Sequence, residues 1–372
     1  MPEKRIKALI VINDFLIGGA QKLIADLLAR IDRSRFEPVL LTLFTFGEDE
    51  REYLYDALPE GTELHKLHFT GIRDWRAWRE LYRLLRAINP DVVLANLFFS
   101  NTIMRLLKPF FGYRVFVVEH NTYVGKTAKE RFLDRLLSHL TKRIVAVSET
   151  VADFTSWQEG ISREKFAVIH NGIDIEKLRA EMNRYDTGET RRETGFAPED
   201  RIILNVSRVI PQKNHKLLLD GFKLFVRSNP EYRLLIVGGG SHEKKIRAYA
   251  ESIGLHDIVR FTGYRKDVPR FFAVADFFVS TSLIEGFGIA HAEALACGLP
   301  VLTTKTAGPD EMIEEGVNGL FIKGYAPEAA AGGLSDMIVC DRSAMKAAAI
   351  RSAEAYSIER AVTAYEKLFS DR

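Results

Sequence analysis

The sequence is poor in the features that mark several protein classes. Its 372 residues include two cysteines, Cys297 and Cys340, which are too few for a disulfide scaffold and lack the spacing of a zinc site. Two free thiols are typical of a reducing compartment. No segment approaches the roughly 18 uninterrupted apolar residues of a membrane span. The near balance of 52 Lys and Arg against 50 Asp and Glu excludes a polyanion binder of the histone type, so no nucleic-acid partner is expected.

Several catalytic motifs are missing as well. The chain has no P-loop GxxxxGK, no HExxH and no Ser/His/Asp order, which leaves hydrolase and NTPase functions without support. It also lacks GxGxxG and an acidic residue at the end of its second apolar run, which disfavours a dehydrogenase. The apolar stretch at residues 8–12 is too short for a signal peptide, so we expect a first strand there and a cytoplasmic protein.

Short apolar runs alternate with helical patterns along the whole chain. Runs that are rich in Val, Ile, Leu and Phe on both faces are typical of buried parallel strands. The expected strands lie at 6–13, 38–44, 91–97, 113–120, 143–149, 166–172, 201–209, 232–239, 258–264, 275–282, 299–305 and 319–322. The pattern predicts two doubly wound α/β domains with a ligand in the cleft between them.

The domain boundaries follow from where the strand pattern stops and restarts. We predict a first domain at residues 1–180 and a second at 201–355, separated by a charged linker at 181–200. Residues 356–372 form a C-terminal helix whose docking domain the pattern leaves open. No repeat of 20 to 50 residues is present, which excludes solenoids and propellers.

The most informative segment is SLIEGFGIAHAEALACGLPVLTT at 282–304. Glu285 follows a buried strand, and Glu293 comes eight residues later on the second turn of a helix. The expected helix start contains Gly286, Phe287, Gly288 and Ile289. Helix-start amides between two carboxylates suit a nucleotide sugar, whose diphosphate accepts from amides and whose hydroxyls donate to carboxylates. Alternatively, Glu285 only neighbours the N-cap and Glu293 is a solvated helix residue.

Fixed positive charge for a diphosphate is offered by Arg208 and Lys213 in VSRVIPQKNH. An intervening proline turn brings both to the carboxyl edge of the second sheet, where open α/β sheets bind ligands; the alternative is an exposed loop pair. Gly239 ends the next strand and lets a nucleotide approach the backbone closely. Tyr264 and Arg265 follow a further strand at this edge and complete the donor-binding candidates.

The first domain contributes two candidates at its own ligand edge. Gly18 and Gly19 stand between the first strand and a helix, where backbone amides face an anion or simply form a tight turn. His120, preceded by Glu119, ends another strand. A lone histidine at such a position is either functional or a satisfied core or surface residue.

Taken in chain order, these motifs resemble the retaining glycosyltransferases of family four, which have the GT-B fold of two Rossmann-like domains facing each other across a cleft. The resemblance covers nearly the whole chain. Its motifs are GGAQ near the start, EHN, SET at 148–150, HNGID, SRVIPQKNH, VGGG, EGFGIAHAEALACGLPVL and GPDEMI. The two glutamates separated by seven residues are the most specific of these motifs.

The resemblance implies a role for each donor-side candidate. Glu285 holds hydroxyls of the donor sugar, and Glu293 holds those of the ribose. Arg208 and Lys213 bind the diphosphate, and Gly19 approaches the phosphates from the opposite domain.

The resemblance also implies a mechanism. His120 lies near the reacting carbon, and the catalytic set is His120, Glu285, Arg208 and Lys213. Retention of configuration proceeds by attack on the face from which the phosphate departs. Basic residues and helix-start amides stabilise the leaving diphosphate, so no metal and no cofactor are expected.

Three residues depart from the common family pattern. Ser207 stands where a glycine often precedes the arginine, and Asn214 where a glycine often follows the lysine. Gln21 replaces a glutamate that often follows the two glycines. None of the three removes a charged contact to the donor, but Gln21 changes the polarity expected on the acceptor side.

Positive charge is concentrated between residues 64 and 143, where 15 Lys and Arg stand against 6 Asp and Glu, a net of +9. Part of it lies in GIRDWRAWRELYRLLRAI, whose Trp and Arg residues are typical of a helix at a membrane surface. The alternative is a core-packed helix with a solvated arginine face. We therefore expect a lipid-linked or membrane-embedded glycan acceptor, and a protein that is peripheral at the cytoplasmic face of the inner membrane.

The predicted activity is transfer of a hexose or N-acetylhexosamine from a nucleotide diphosphate sugar, with a UDP-sugar favoured. A transferase with a soluble acceptor shares every donor motif. A GT-B epimerase or a non-catalytic nucleotide-sugar sensor shares the fold. Flotation with liposomes distinguishes a transferase with a soluble acceptor from one that acts at the membrane. Release of nucleotide diphosphate in the presence of an acceptor extract distinguishes a transferase from an epimerase or a sensor.

Overall fold

The computed structural model describes residues 4–16, 18–44 and 54–371. The chain divides into two compact units, one formed by Met1–Gly172 together with Ile358–Arg372 and the other by Ile173–Ser357. None of the described helices combines the length and the apolar content needed to cross a bilayer.

The first unit is built on a parallel sheet of seven strands over the described residues, in the order β3-β2-β1-β4-β5-β6-β7. The strands are β1 (Ile6–Ile12), β2 (Phe36–Thr42), β3 (Glu63–Lys66), β4 (Val92–Asn96), β5 (Arg114–Glu119), β6 (Arg143–Ala146) and β7 (Phe166–Val168). The helices are α1 (Gly19–Arg30), α2 (Trp75–Ile88), α3 (Phe98–Phe111), α4 (Ala128–Ser138), α5 (Glu149–Glu159) and, from the end of the chain, α15 (Ile358–Ser370).

The second unit is built on a parallel sheet of six strands, again over the described residues, in the order β10-β9-β8-β11-β12-β13. The strands are β8 (Arg201–Val206), β9 (Tyr232–Val237), β10 (Val259–Phe261), β11 (Phe277–Ser280), β12 (Val301–Thr304) and β13 (Gly319–Ile322). The helices are α6 (Ile175–Met182), α7 (Thr187–Thr194), α8 (His215–Val226), α9 (Glu243–Ser252), α10 (Pro269–Phe272), α11 (Ile289–Ala296), α12 (Ala307–Met312), α13 (Pro327–Val339) and α14 (Arg342–Ala353).

The two parallel sheets confirm the prediction of two doubly wound α/β units. The central strands are apolar on both faces because helices cover both sides of each sheet. β3 is the one strand of the described residues that has no counterpart among the predicted runs. Its sequence ELHK is polar and only partly buried, as suits an edge strand, so it gives no apolar signal.

The segment expected as a linker, residues 181–200, lies within the second unit instead. Its α7 buries Thr190 and Thr194, and its charges are used locally. The Arg191 Nη1 donates to the carbonyls of Ala197 and Asp200 at 3.0 and 2.9 Å. Glu193 forms ion pairs with two arginines of the same unit, Arg265 and Arg270. The high charge density of residues 181–200 therefore reflects ion pairs within a domain and not a solvated linker.

The C-terminal helix, α15, belongs to the first unit. Its Phe369 packs with Phe36 of β2 and Phe116 of β5, at ring-centroid distances of 6.1 and 5.9 Å. Its first residue, Ile358, lies so close to Gly172 that a Cβ on that glycine would stand 2.5 Å from the Ile358 Cα. The chain thus crosses to the second unit at residue 173 and returns at residue 358.

Candidate functional site

The loop after β11 brings Glu285 and Lys213 together. The Lys213 Nζ forms an ion pair with Oε1 of Glu285, and the Ser282 hydroxyl donates to the same oxygen at 3.0 Å. Both charged side chains are largely buried, at 14% and 13% exposure. Burial raises the pKa of Glu285, but the charges of Lys213 and His291 and the hydrogen bonds from Lys213 and Ser282 together more than offset it, so this pKa lies below its ordinary value. Glu285 is therefore held as a carboxylate.

The turn that carries Lys213 is fastened to the loop that carries Glu285. Gln212 makes two of the contacts: its carbonyl accepts from the Leu283 amide, and its Nε2 donates to the Ile284 carbonyl, both at 2.8 Å. Asn214 closes the turn with φ 49°, a left-handed conformation that asparagine tolerates better than most residues. This explains how asparagine replaces the glycine of the family pattern at this position. Gln212 was not among the predicted residues.

Helix α11 begins directly after this loop with no side chain capping its N-terminus. Gly288 has φ 87°, and a Cβ there would lie 2.7 Å from Nδ1 of His291, so no other residue fits without a shift. Gly286 and Phe287 are buried, and Ile289 starts the helix. Amides at an uncapped helix start carry partial positive charge and lack partners, which is the arrangement that binds an anion.

Glu293 lies on α11 and is 7% exposed. This burial rules out the alternative of a solvated helix residue. The same helix contains a histidine that the sequence analysis missed: His291 accepts or donates at 3.0 Å with the Thr303 hydroxyl, and burial lowers its pKa to about 4. His215, at the start of α8, is similarly buried and contacts the Ser207 hydroxyl at 3.0 Å. No feature of the sequence distinguishes these two from ordinary core histidines.

The three glycines after β9 are required by the packing of the protein itself. A Cβ on Gly238 would lie 2.1 Å from the Ser207 carbonyl oxygen, and one on Gly239 would lie 2.6 Å from Cδ2 of Tyr264. Tyr264 is 52% exposed, so its ring covers Gly239 at the surface. The close approach at Gly239 is thus made by an aromatic ring of the same unit.

The two predicted arginines of this unit differ in whether carboxylates pair with them. Arg208 is exposed, and no carboxylate among the described residues pairs with it. Arg265 is paired with Asp267 at 2.6 Å and with Glu193 at 2.9 Å. These hydrogen bonds and charges raise the pKa of Arg265. The structure therefore brings Lys213, Glu285 and the start of α11 together, and turns Arg265 toward two carboxylates of its own unit.

In the first unit, His120 follows β5, and its Nε2 lies 3.0 Å from Oδ1 of Asn96. The Asn96 amide nitrogen faces the carbonyls of Val11 and Leu94 at 3.3 and 3.4 Å, which fixes Oδ1 as the acceptor. The His120 Nε2 must then carry the proton and donate it, leaving Nδ1 as an acceptor. Burial lowers the pKa of His120 to about 4, so the ring is neutral near pH 7.

Gly19 begins α1, and no side chain caps this helix at Gly18. The Gln21 side chain lies at this helix start: a Cβ on Gly18 would stand 2.6 Å from its Oε1, and its Nε2 donates to Oδ1 of Asp14 at 3.2 Å. Asp14 also accepts from the Leu16 amide. An anion site at the start of α1 stays a prediction. Gln21 is occupied by a contact within its own unit.

Comparison with known proteins covers both halves of the chain. The family model described as Glycosyltransferase Family 4 matches residues 17–177, and the model described as Glycosyl transferases group 1 matches residues 186–354. In fold, the chain is similar to HepE of Anabaena solved in complex with UDP, with a TM-score of 0.83 at 19% identity, over 98% of this chain and 100% of HepE.

Two relatives of the chain in sequence have names that state a glycosyltransferase activity. The chain is 24% identical over 262 residues to the UDP-Gal:alpha-D-GlcNAc-diphosphoundecaprenol alpha-1,3-galactosyltransferase of Escherichia coli, over 68% of this chain and 67% of that one. It is 30% identical over 238 residues to a D-inositol 3-phosphate glycosyltransferase of Corynebacterium urealyticum, over 60% and 56%. The chain spans between 42% and 67% of the lengths of curated relatives such as these. With both halves matched in order and the fold shared, the chain belongs to the family-4 glycosyltransferases of the GT-B fold.

Proposed function

We propose that this glycosyltransferase moves a hexose or N-acetylhexosamine from a UDP-sugar to a lipid-linked or membrane-embedded glycan, with retention of configuration and without a metal ion. The observation that carries the donor half of the proposal is the buried Lys213–Glu285 pair beside the uncapped start of α11. It places an ionised carboxylate, a lysine and open amides within one loop and helix start. HepE, which shares the fold, has been solved with UDP and with UDP-glucose, and this favours uridine over other bases.

The diphosphate, the sugar and the ribose of the donor each have a candidate partner in the second unit. The diphosphate would be bound by Arg208, Lys213 and the α11 amides, which stabilise the negative charge that develops as the bond to the sugar breaks. Glu285, held ionised, would accept from sugar hydroxyls, and Glu293 from the ribose. With that positive charge already fixed in the protein, departure of UDP needs no metal ion. The proton of the attacking hydroxyl would pass to the departing phosphate oxygen.

His120 supplies an acceptor on the side of the first unit. Because it is neutral with its proton on Nε2, its Nδ1 would accept from a sugar hydroxyl near the reacting carbon. The backbone at Gly19, at the start of α1, would contact the phosphates of the donor.

The acceptor half of the proposal rests on one surface of the first unit. Steps from β3 to β4, β5 and β6 run in one direction across the sheet, so right-handed connections put α2, α3 and α4 on the same face. This helical face carries exposed apolar side chains one turn apart: Leu106 and Phe110 on α3, at 44% and 73%, and Phe132 and Leu136 on α4, at 69% and 57%. Exposed apolar residues in such number mark a binding surface.

The same helical face is basic. On α2, Leu81 and Leu85 are buried and pack into the unit, while Trp75 is 64% exposed. A buried apolar stripe with exposed arginines matches the alternative expected for this helix, and its role at a membrane surface stays a proposal. The exposed basic residues are Arg76, Arg79, Arg83, Arg86, Lys129 and Arg135. Positive charge around apolar side chains is complementary to an anionic lipid surface.

The relatives' names include both an undecaprenol-linked acceptor and D-inositol 3-phosphate, so the choice of acceptor rests on this helical face. On that ground we place the enzyme at the cytoplasmic face of the membrane.

The experiment that tests the activity is release of UDP from UDP-glucose, UDP-galactose and UDP-N-acetylglucosamine. It is run with and without a lipid extract that contains polyprenyl-linked glycans. We expect UDP release that requires the lipid extract and yields a product with the donor's anomeric configuration. Release that requires a water-soluble extract instead would favour a soluble acceptor, and interconversion of the nucleotide sugars without release would favour an epimerase.

A further inference from the structure

A cavity of about 240 Å³ opens beside the end of β5 in the first unit. Phe98 and Tyr123 form aromatic parts of its wall, and its polar lining includes Asn101, Glu119, Lys126 and Asp134. Glu119 immediately precedes His120, so the cavity adjoins the residue assigned to the acceptor side. Of these six residues, Glu119 was pointed out from the sequence, beside His120, and the other five were given no role.

The polar lining belongs to a buried cluster of five charges. Lys126 pairs with Asp134 at 2.9 Å, with Glu159 at a shorter distance and with Glu119 at 3.9 Å. Arg105 pairs with Asp134 at 2.5 Å. Three carboxylates therefore face two cations, and the cluster has more acceptor than donor capacity. Burial raises the pKa of Glu119 and raises that of Glu159 to about 7.

Asn101 adds an acceptor that has no donor. Its amide nitrogen faces the Val118 carbonyl at 3.2 Å and the Glu119 carboxylate at 3.5 Å, two acceptors that fix the orientation of the amide. The Oδ1 is buried without a hydrogen-bond partner, and the whole residue is 3% exposed. A buried, unpaired acceptor costs free energy unless a donor reaches it.

The chemistry of the cavity selects among ligands by charge. An anion would face a cluster with one more carboxylate than cations, and a cation would compete with Lys126 and Arg105, which already pair with the carboxylates. Hydroxyl groups donate to Asn101 Oδ1 and to Glu119 without either penalty. The apolar face of a sugar ring packs on aromatic side chains such as Phe98 and Tyr123. At 240 Å³ the cavity falls just below the roughly 300 Å³ at which drug-sized sites begin, so it suits a single ring.

We propose that this cavity binds one neutral sugar ring of the acceptor glycan, with hydroxyls donating to Asn101 Oδ1 and to the Glu119 carboxylate. That this sugar belongs to the acceptor rests on the proposed function, but the cavity's preference for a neutral polyol follows from its own lining. It assigns acceptor recognition to residues that lie next to His120 and are distinct from it.

The test is saturation-transfer NMR on the full chain with methyl β-D-galactopyranoside, methyl α-D-glucopyranoside and methyl N-acetyl-β-D-glucosaminide. Glucosamine hydrochloride serves as the cationic probe, and UDP binding is measured on the same samples. Glu119→Gln keeps the shape of the side chain and removes its charge. Phe98→Ala removes an aromatic part of the cavity wall. Because Phe98 is 38% exposed, this variant tests the cavity even if Glu119→Gln does not fold. Trp157→Ala, at 78% exposure in the same unit, is the matched control.

We expect at least one neutral glycoside to bind in preference to glucosamine, with about ten-fold weaker binding in Glu119→Gln and Phe98→Ala and no change in Trp157→Ala. UDP binding should be the same in all four proteins. Absence of glycoside binding in a protein that binds UDP overturns the inference, as does binding that neither variant weakens, or a preference for glucosamine. Glycoside binding that needs Glu119 and Phe98 in a protein without UDP binding would keep the sugar site and contradict the proposed function.

Discussion

The two units bury charge in opposite ways. In the second unit, the Lys213–Glu285 pair has side chains that are 13–14% exposed and lies in the loop just before the start of α11. The first unit has a cluster of three carboxylates and two cations whose side chains are 2–9% exposed. The pair has one carboxylate for one cation, whereas the cluster has one carboxylate more than it has cations. The comparison supports our proposals that the fixed positive charge for the phosphates lies in the second unit and that the cavity in the first unit binds a neutral sugar ring.

The largest effect should come from breaking the closed cluster. Lys126→Met leaves Asp134 and Glu159 buried without their shared cation, which should cost about 3–5 kcal/mol of unfolding free energy. All three tryptophans, Trp75, Trp78 and Trp157, lie in the first unit, so tryptophan fluorescence in a denaturant titration reports on that unit.

The matched control for that titration is Lys129→Met, which removes an exposed lysine three residues away. It should change the unfolding free energy by less than about 0.5 kcal/mol. Equal stabilities of the two variants would mean that the cluster is not a closed ion network.

The next effect concerns the open pair. Glu285→Ala should lower kcat/KM for transfer by about 100-fold, close to the loss of one strong contact in the transition state, while UDP affinity stays within a factor of two or so. The reason is that Glu285 is assigned to the sugar and not to the phosphates. Coupled UDP-release kinetics and calorimetry measure the two quantities. A variant that retains more than about a tenth of wild-type kcat/KM, a loss below about 1.4 kcal/mol, would contradict this assignment.

The helical face of the first unit should give a smaller effect that depends on salt. Each basic residue near anionic lipid contributes about 1 kcal/mol, so Arg76→Glu, Arg79→Glu and Arg83→Glu together should lower co-sedimentation with phosphatidylglycerol vesicles. High salt should release the wild type only in part, because the apolar side chains on α3 and α4 are insensitive to screening. Nucleotide-sugar binding is the control. Equal recovery of both proteins in the vesicle pellet would favour a soluble acceptor.

The smallest expected effect is that of chelation. If Arg208, Lys213 and the α11 amides stabilise the leaving diphosphate, transfer should continue at an unchanged rate in excess EDTA. The assay is UDP release before and after chelation, with Mn²⁺ or Mg²⁺ added back. Loss of activity that either ion restores would show that fixed charge alone is insufficient.

The sequence was enough to predict both sheets because their strands are apolar on two faces and end in glycine-rich or polar turns. It was also enough to bring Lys213 and Glu285 to one sheet edge, since both follow strands of the same sheet. Prediction from the sequence failed where the local composition suggests one structure and the tertiary contacts produce another. The charged segment around Glu193 looked like a linker, but its charges pair with Arg265 and Arg270.

The cluster around Lys126 could not be predicted for a related reason. Its members come from α3, β5, α4, α5 and a loop, so no local spacing connects them. The same is true of the open Asn101 acceptor, which depends on where one amide nitrogen points. Arg265 was assigned to the donor from its position after a strand, and only the structure reveals the carboxylates that occupy it.

The central claim is that the phosphates of a nucleotide sugar bind the second unit at Arg208, an exposed arginine with which no carboxylate of the described residues pairs. Calorimetric titration of UDP into Arg208→Ala and Arg265→Ala tests it most directly, because the two arginines belong to the same unit and differ in their partners. The account predicts at least about ten-fold weaker UDP binding for Arg208→Ala, as expected for a lost charge-assisted contact, and a much smaller change for Arg265→Ala. Unchanged UDP affinity in Arg208→Ala would contradict the claim.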